Sequence, residues 1–183
     1  MQTRFTTTAF ARLAALAALL TGSLLFTGCS TTNVAAINLP LEEIAKYSPS
    51  PAVVTPYEAI EGAQQYVHDH PGADYSIGSG DSMLPLYRDQ AVIVTERPAM
   101  VQLHLGQTVV FMGQNGVPVA HTLIKHTDAG WVTMGLGNPV PDEGVLSEGA
   151  YMGVVVKAYQ PTGSPILAYA KSAPRNSSYA ANP

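Results

Sequence analysis

Cysteine occurs once in the 183 residues, at Cys29. A single cysteine excludes a disulfide framework and a zinc site built from a cysteine set. Charge is scarce as well: 12% of the residues are charged and the net charge is −4, with no Lys/Arg cluster. Arg4 and Arg12 are the only charges in residues 1–28, so the rest of the chain carries −6. A mildly acidic body without basic clusters argues against a nucleic-acid partner. The chain also lacks an uninterrupted apolar run of the ~20 residues that a comfortable transmembrane helix needs. Its best candidate, Leu13 to Leu20 with Leu24-Leu25-Phe26, is broken by Gly22 and Ser23. No internal repeat is visible. The hydrophobic fraction, 46%, suits one domain with appendages and a real core.

What is present begins with an export signature. Residues 1–28 pair positive charge at Arg4 and Arg12 with an apolar core and the small residues Thr27-Gly28. Phe26-Thr27-Gly28-Cys29 resembles the lipobox of a bacterial lipoprotein signal, with Phe26 where leucine is usual. The resemblance implies cleavage before Cys29 and acylation of its thiol, which gives the sole cysteine a role. Two or more acyl chains would attach the protein stably to a membrane. Ser30, rather than an aspartate, after the cysteine fits sorting to an outer membrane. In an organism with two membranes the domain would then face the periplasm. A plain secretory signal or an uncleaved anchor is the alternative.

Residues 29–56 are rich in Ser, Thr and Asn and contain Pro40, Pro49, Pro51 and Pro56, a composition that predicts an extended, flexible tether. Leu41–Tyr47 is compatible with a short helical turn. From Tyr57 to His70, Ile60, Ala63, Gln64 and Val67 recur at helical spacing, and Pro71-Gly72 stops the helix. His68 and His70 stand about 200° apart on such a helix, so they do not form a metal-binding pair. From Ser76 onward short β-branched runs alternate with turns: Ala91–Thr95, Thr108–Met112, Val117–Ile124, Trp131–Met134 and Tyr151–Tyr159. Asn115-Gly116 predicts a hairpin over residues 108–124. The expected fold is therefore a mainly β domain over residues 57–160 with one N-terminal helix. Residues 161–183, rich in Ala, Ser, Pro and Asn, predict a disordered tail.

One stretch carries chemistry. In Gly78-Ser79-Gly80-Asp81-Ser82-Met83-Leu84-Pro85, glycines and a proline constrain a turn that holds a serine. His121 lies inside a later apolar run that reads as a buried strand. A serine on a constrained turn and a histidine on a rigid element are the raw material of nucleophilic catalysis. Ordinary turn chemistry would also account for the stretch.

Five boxes in order extend this reading. Gly80-Asp81-Ser82-Met83-Leu84-Pro85 resembles the G-x-S-M-x-P nucleophile box of type I signal peptidases and the wider S24/S26 peptidase superfamily. Arg88-Asp89-Gln90-Ala91-Val92-Ile93-Val94 stands in place of G-D-x-V-x-V, with Arg88 where glycine is usual. Gly106-Gln107-Thr108-Val109-Val110-Phe111 resembles G-D-I-V-x-F, and Tyr151-Met152-Gly153-Val154-Val155 the closing strand. Val119-Ala120-His121-Thr122 falls where the endoplasmic-reticulum, archaeal and sporulation-type branch carries its histidine, with Thr122 replacing the following arginine. Thr133-Met134-Gly135-Leu136-Gly137-Asn138 stands for T-K-G-D-x-N, so Leu136 has lost the first acid of that box while Asp142 matches the second. The resemblance covers residues 76–159 and implies a coiled β-sheet domain like those of the LexA repressor and signal peptidases.

The resemblance further implies Ser82 as nucleophile, His121 as general base and Asp142 as the group that orients the imidazole. Imidazole suits that role because its unperturbed pKa, about 6.5, lies near neutrality. Gly80, Asp81, Met83 and Pro85 would shape the nucleophile turn, with the Ser82 N–H as one oxyanion donor. Gly80 lacks the hydroxyl that some relatives supply, which leaves Ser79 or water as substitutes. Lys125 is the rival base, because related branches use Ser-Lys chemistry; it lies roughly 13 Å beyond His121 along a strand. No cofactor or metal is implied. The expected function is a membrane-tethered serine endopeptidase acting on exported or membrane-associated polypeptides. The alternative is a catalytically inactive, lipid-anchored peptide-binding module of the same fold, suggested by the changes at Leu136 and Thr122. A self-cleaving, repressor-type domain fits poorly with an export signal.

Overall fold

The computed structural model describes residues 39–163. The expected signal segment, Cys29 and the tail from residue 164 lie outside the described residues. The described chain is mainly β: two α-helices, α1 (Leu41–Ala45) and α2 (Pro56–Asp69), and one seven-stranded sheet. Its strands are β1 (Ala52–Val54), β2 (Asp74–Ile77), β3 (Val92–Glu96), β4 (Thr108–Met112), β5 (Pro118–Thr127), β6 (Gly130–Met134) and β7 (Tyr151–Pro161). They lie in the order β2-β3-β7-β4-β5-β6, antiparallel throughout, while β1 pairs with β7 in parallel.

Strand alternation explains why the core has several compartments. Successive side chains point to opposite faces, so Ile93 joins Met83, Leu86, Val110 and Val155 on one face, while Val92 and Val94 meet helix α2 on the other. Helix α2 buries Ala59, Ile60 and Ala63 there. Its start is fixed locally. Thr55 accepts a hydrogen bond from the Glu58 N–H, the Glu58 carboxylate accepts one from the Thr55 N–H, and Pro56 occupies the first turn. This reciprocal cap satisfies N–H groups that the first turn leaves unpaired. The β4–β5 hairpin forms as its Asn115-Gly116 pair predicts. Gly116 takes a positive φ of 73°, and Val109 stands opposite His121 in register.

The tether expected over residues 29–56 is corrected from residue 39 onward, where the chain belongs to the domain. Ile44 is buried in the face that holds Met83 and Tyr87. Ser48 is buried too; its hydroxyl donates to the Gly106 carbonyl and accepts from the Thr108 N–H at 2.7 Å. Strand β1 then pairs with the far end of β7. Of the prolines that suggest a tether, Pro40 caps α1, Pro51 stands just before this strand, where proline is tolerated, and Pro56 opens α2. At the other end, β7 extends through Pro161, one residue beyond the expected domain limit.

Candidate active site

The serine turn is an excursion between β2 and β3, closed at its base by two backbone hydrogen bonds. Gly78 N–H donates to Ala91 O at 2.8 Å and Gln90 N–H to Gly78 O at 3.1 Å. Gly80 adopts a φ of +92°, which favours glycine, and its N–H donates to Asp89 Oδ1 at 3.0 Å. Leu84 N–H then donates to Asp81 O, and Tyr87 N–H to Met83 O, each at 3.0 Å. Met83, Leu86 and Tyr87 drop into the core beneath, while Asp81 and Pro85 stay exposed. The Tyr87 hydroxyl donates to Pro49 O at 2.8 Å, and burial pushes its phenol well above the usual value. Ser82 is thus held by anchored neighbours on both sides.

His121, on β5, is 6% exposed, and Phe111 meets its ring edge-on at 6.2 Å. Its two ring nitrogens meet two different partners. Nδ1 lies 2.7 Å from Asp142 Oδ2, and Nε2 lies 3.2 Å from Ser82 Oγ. An ionised carboxylate can only accept, so Nδ1 carries the proton and Nε2 presents its lone pair to the serine hydroxyl. Asp142 comes from the loop after β6, tied back by its N–H donating to Thr133 O at 2.9 Å. The Thr133 hydroxyl donates to the same Oδ2 at 2.6 Å. Two donors converge on one carboxylate oxygen and fix its direction.

The loop from Gly135 to Asn138 packs against the serine turn. Gly137 N–H donates to Ser82 O at 2.8 Å. A Cβ on Gly135 would stand 2.6 Å from Ser82 O and 2.9 Å from His121 Nε2, so only glycine fits there. Among the described residues, the Ser82 N–H donates to no protein acceptor, whereas the Gly80 N–H is occupied by Asp89. Of these two donors only the Ser82 amide can turn to a developing oxyanion.

A cleft of about 540 Å3 opens beside the serine and histidine. Ile77, Ile93, Val110 and Val119 make it apolar, and Ser79, Gly80 and Asn138 stand along it. Met83, expected to shape the turn, is buried and still contributes to the lining.

Ser82, His121 and Asp142, expected as a set, are brought together; Lys125 is not part of that cluster. It is exposed on β5 opposite Val132, beyond a register shift between Leu123 and Lys125, and His121 fills the place facing the serine. Thr122, where an arginine was expected, is fully buried beside His121 on the strand, and its Oγ1 has no hydrogen-bond partner among the described residues. Leu136, where an acid was expected, packs against the core. Thr133, Asp89 and Gly135 stand in the sequence boxes without a role of their own. Their contacts are tertiary and become visible only when the loops meet. Compared with protein-family models and with curated proteins, the chain matches none.

Proposed function

We propose that this protein is a serine endopeptidase held at the cell envelope by a lipid on Cys29, cleaving exported or membrane-associated polypeptides. The observation that carries the reading is the His121 ring bridging Asp142 Oδ2 and Ser82 Oγ at 2.7 and 3.2 Å. Ser82 Oγ attacks a peptide carbonyl carbon as Nε2 takes its proton, forming a tetrahedral oxyanion. Asp142 stabilises the imidazolium so formed. Collapse expels the amine, which leaves with the proton from Nε2, and an ester on Ser82 remains. Water attacks that ester, with Nε2 again removing a proton, and returns the serine. The apolar cleft, 540 Å3 in volume, is large enough to receive several residues of an extended chain.

The test is cleavage of an alanine-rich signal-peptide substrate by the full-length chain in detergent. Ser82→Ala and His121→Ala should each lower kcat by about 10³-fold or more, by the usual cost of losing a triad member. Lys125→Ala should retain wild-type rates. Loss with Lys125→Ala and survival of His121→Ala would move the base to the lysine. A wild-type protein that binds the peptide without cutting it would make the domain a binding module.

A further inference from the structure

The cleft beside Ser82 is almost without charge. Arg88 is the only Lys, Arg, Asp or Glu in its lining. The Arg88 side chain is exposed and engages no acid: the sole ion pair among the described residues joins His121 and Asp142. Its sequence neighbour Asp89 spends Oδ1 on the Gly80 N–H rather than on the guanidinium, and Asp81 is not within ion-pair distance of it. The backbone beneath the guanidinium is held at two points. Arg88 N–H donates to Gln160 Oε1 at 3.1 Å, and Gln160 Nε2 donates back to Asp89 O at 3.3 Å. A guanidinium on a held backbone at an apolar cleft, with no acid partner among the described residues, is chemically suited to a carboxylate, because its planar fork matches one bidentately.

We propose that Arg88 selects substrates carrying a carboxylate next to the scissile bond. This deepens the endopeptidase reading and rests on it. The carboxylate can come from an Asp or Glu side chain or from a nearby chain end, and the test separates the two.

The probes are fluorogenic peptides of Ala, Gly and Ser in which one position at a time carries Glu, Gln or Lys, each with a free or an amidated C-terminus. Full-length wild type, Arg88→Gln and Arg88→Glu are compared by the Glu-to-Gln ratio of kcat/KM at every position. Wild type should favour Glu over Gln at one position by about tenfold, equivalent to about 1.4 kcal/mol, within the range of a charge-assisted pair. The ratio should fall to about one in Arg88→Gln, and Arg88→Glu should favour Lys at the same position. If the preference appears only between free and amidated C-termini, the chain end is the ligand. Equal ratios in all three proteins would overturn the proposal while leaving the peptidase reading intact. If nothing is cleaved, anisotropy of the labelled peptides on Ser82→Ala protein decides. Glu-selective binding lost in the Ser82→Ala, Arg88→Glu double variant supports the receptor without the enzyme, and unselective binding overturns it.

Discussion

At the scale of single residues, the site is built on space as much as on charge. Gly135 leaves a gap that no side chain can enter, because the nearest atoms are the Ser82 carbonyl oxygen, the Asn138 amide and His121 Nε2. Gly135→Ala should therefore separate the serine turn from the histidine. On the proposed chemistry, kcat falls by about 10²-fold, as for a displacement of about 1 Å. Circular dichroism should still report a folded protein, because overpacking costs about 1–3 kcal/mol against a typical stability of about 5–15 kcal/mol. Thr133 acts through Asp142. Removing its hydroxyl with Thr133→Val leaves one fewer donor on Oδ2 and lets the carboxylate turn. A hydrogen bond to a charged acceptor contributes about 1.5–3 kcal/mol, so kcat should drop by about 10- to 100-fold. KM should stay near its wild-type value, and Thr133→Ser should restore the rate, which separates orientation from packing.

At the scale of elements, the sequence was legible where periodicity is strong. The β-branched runs marked β3 to β7, and the apolar spacing before Pro71-Gly72 marked α2, because local pattern and burial agree there. The segment before α2 was not legible. It offers one deeply buried apolar residue, Ile44, and its other anchor is a hydroxyl, which no hydrophobic pattern reveals. Ser48 joins this segment to the turn before β4 through Gly106 O, the Thr108 N–H and the Thr108 hydroxyl. Ser48→Ala leaves buried backbone groups unpaired and should destabilise the domain by about 1–3 kcal/mol. Chemical denaturation measures it, and a midpoint equal to that of wild type would show that the Ser48 hydroxyl does not contribute to stability. The site was legible for a different reason. Ser82, His121 and Asp142 emerged from the order of their boxes, whereas Asp89 and Gly135 acquire roles only through contacts between loops distant in sequence.

At the scale of the whole described chain, one sheet joins its first strand to its last. Ala52, Val53 and Val54 run alongside Tyr159, Gln160 and Pro161 in the same direction, and the Thr162 N–H reaches back to Val54 O. Thus β1, which follows the Ile44 and Ser48 anchors, and the end of β7 form a parallel seam. Tension applied between Ala52 and Pro161 would draw these strands along their own axes, so the rungs would bear load together, in shear, instead of opening one after another. Resistance to such a pull is set by a rate of rupture and not by equilibrium stability. Ser82, His121 and Asp142 belong to none of these rungs. Gln160, the middle rung, also accepts from the Arg88 N–H and donates to Asp89 O, so a load on the seam would be felt directly at the base of the serine turn.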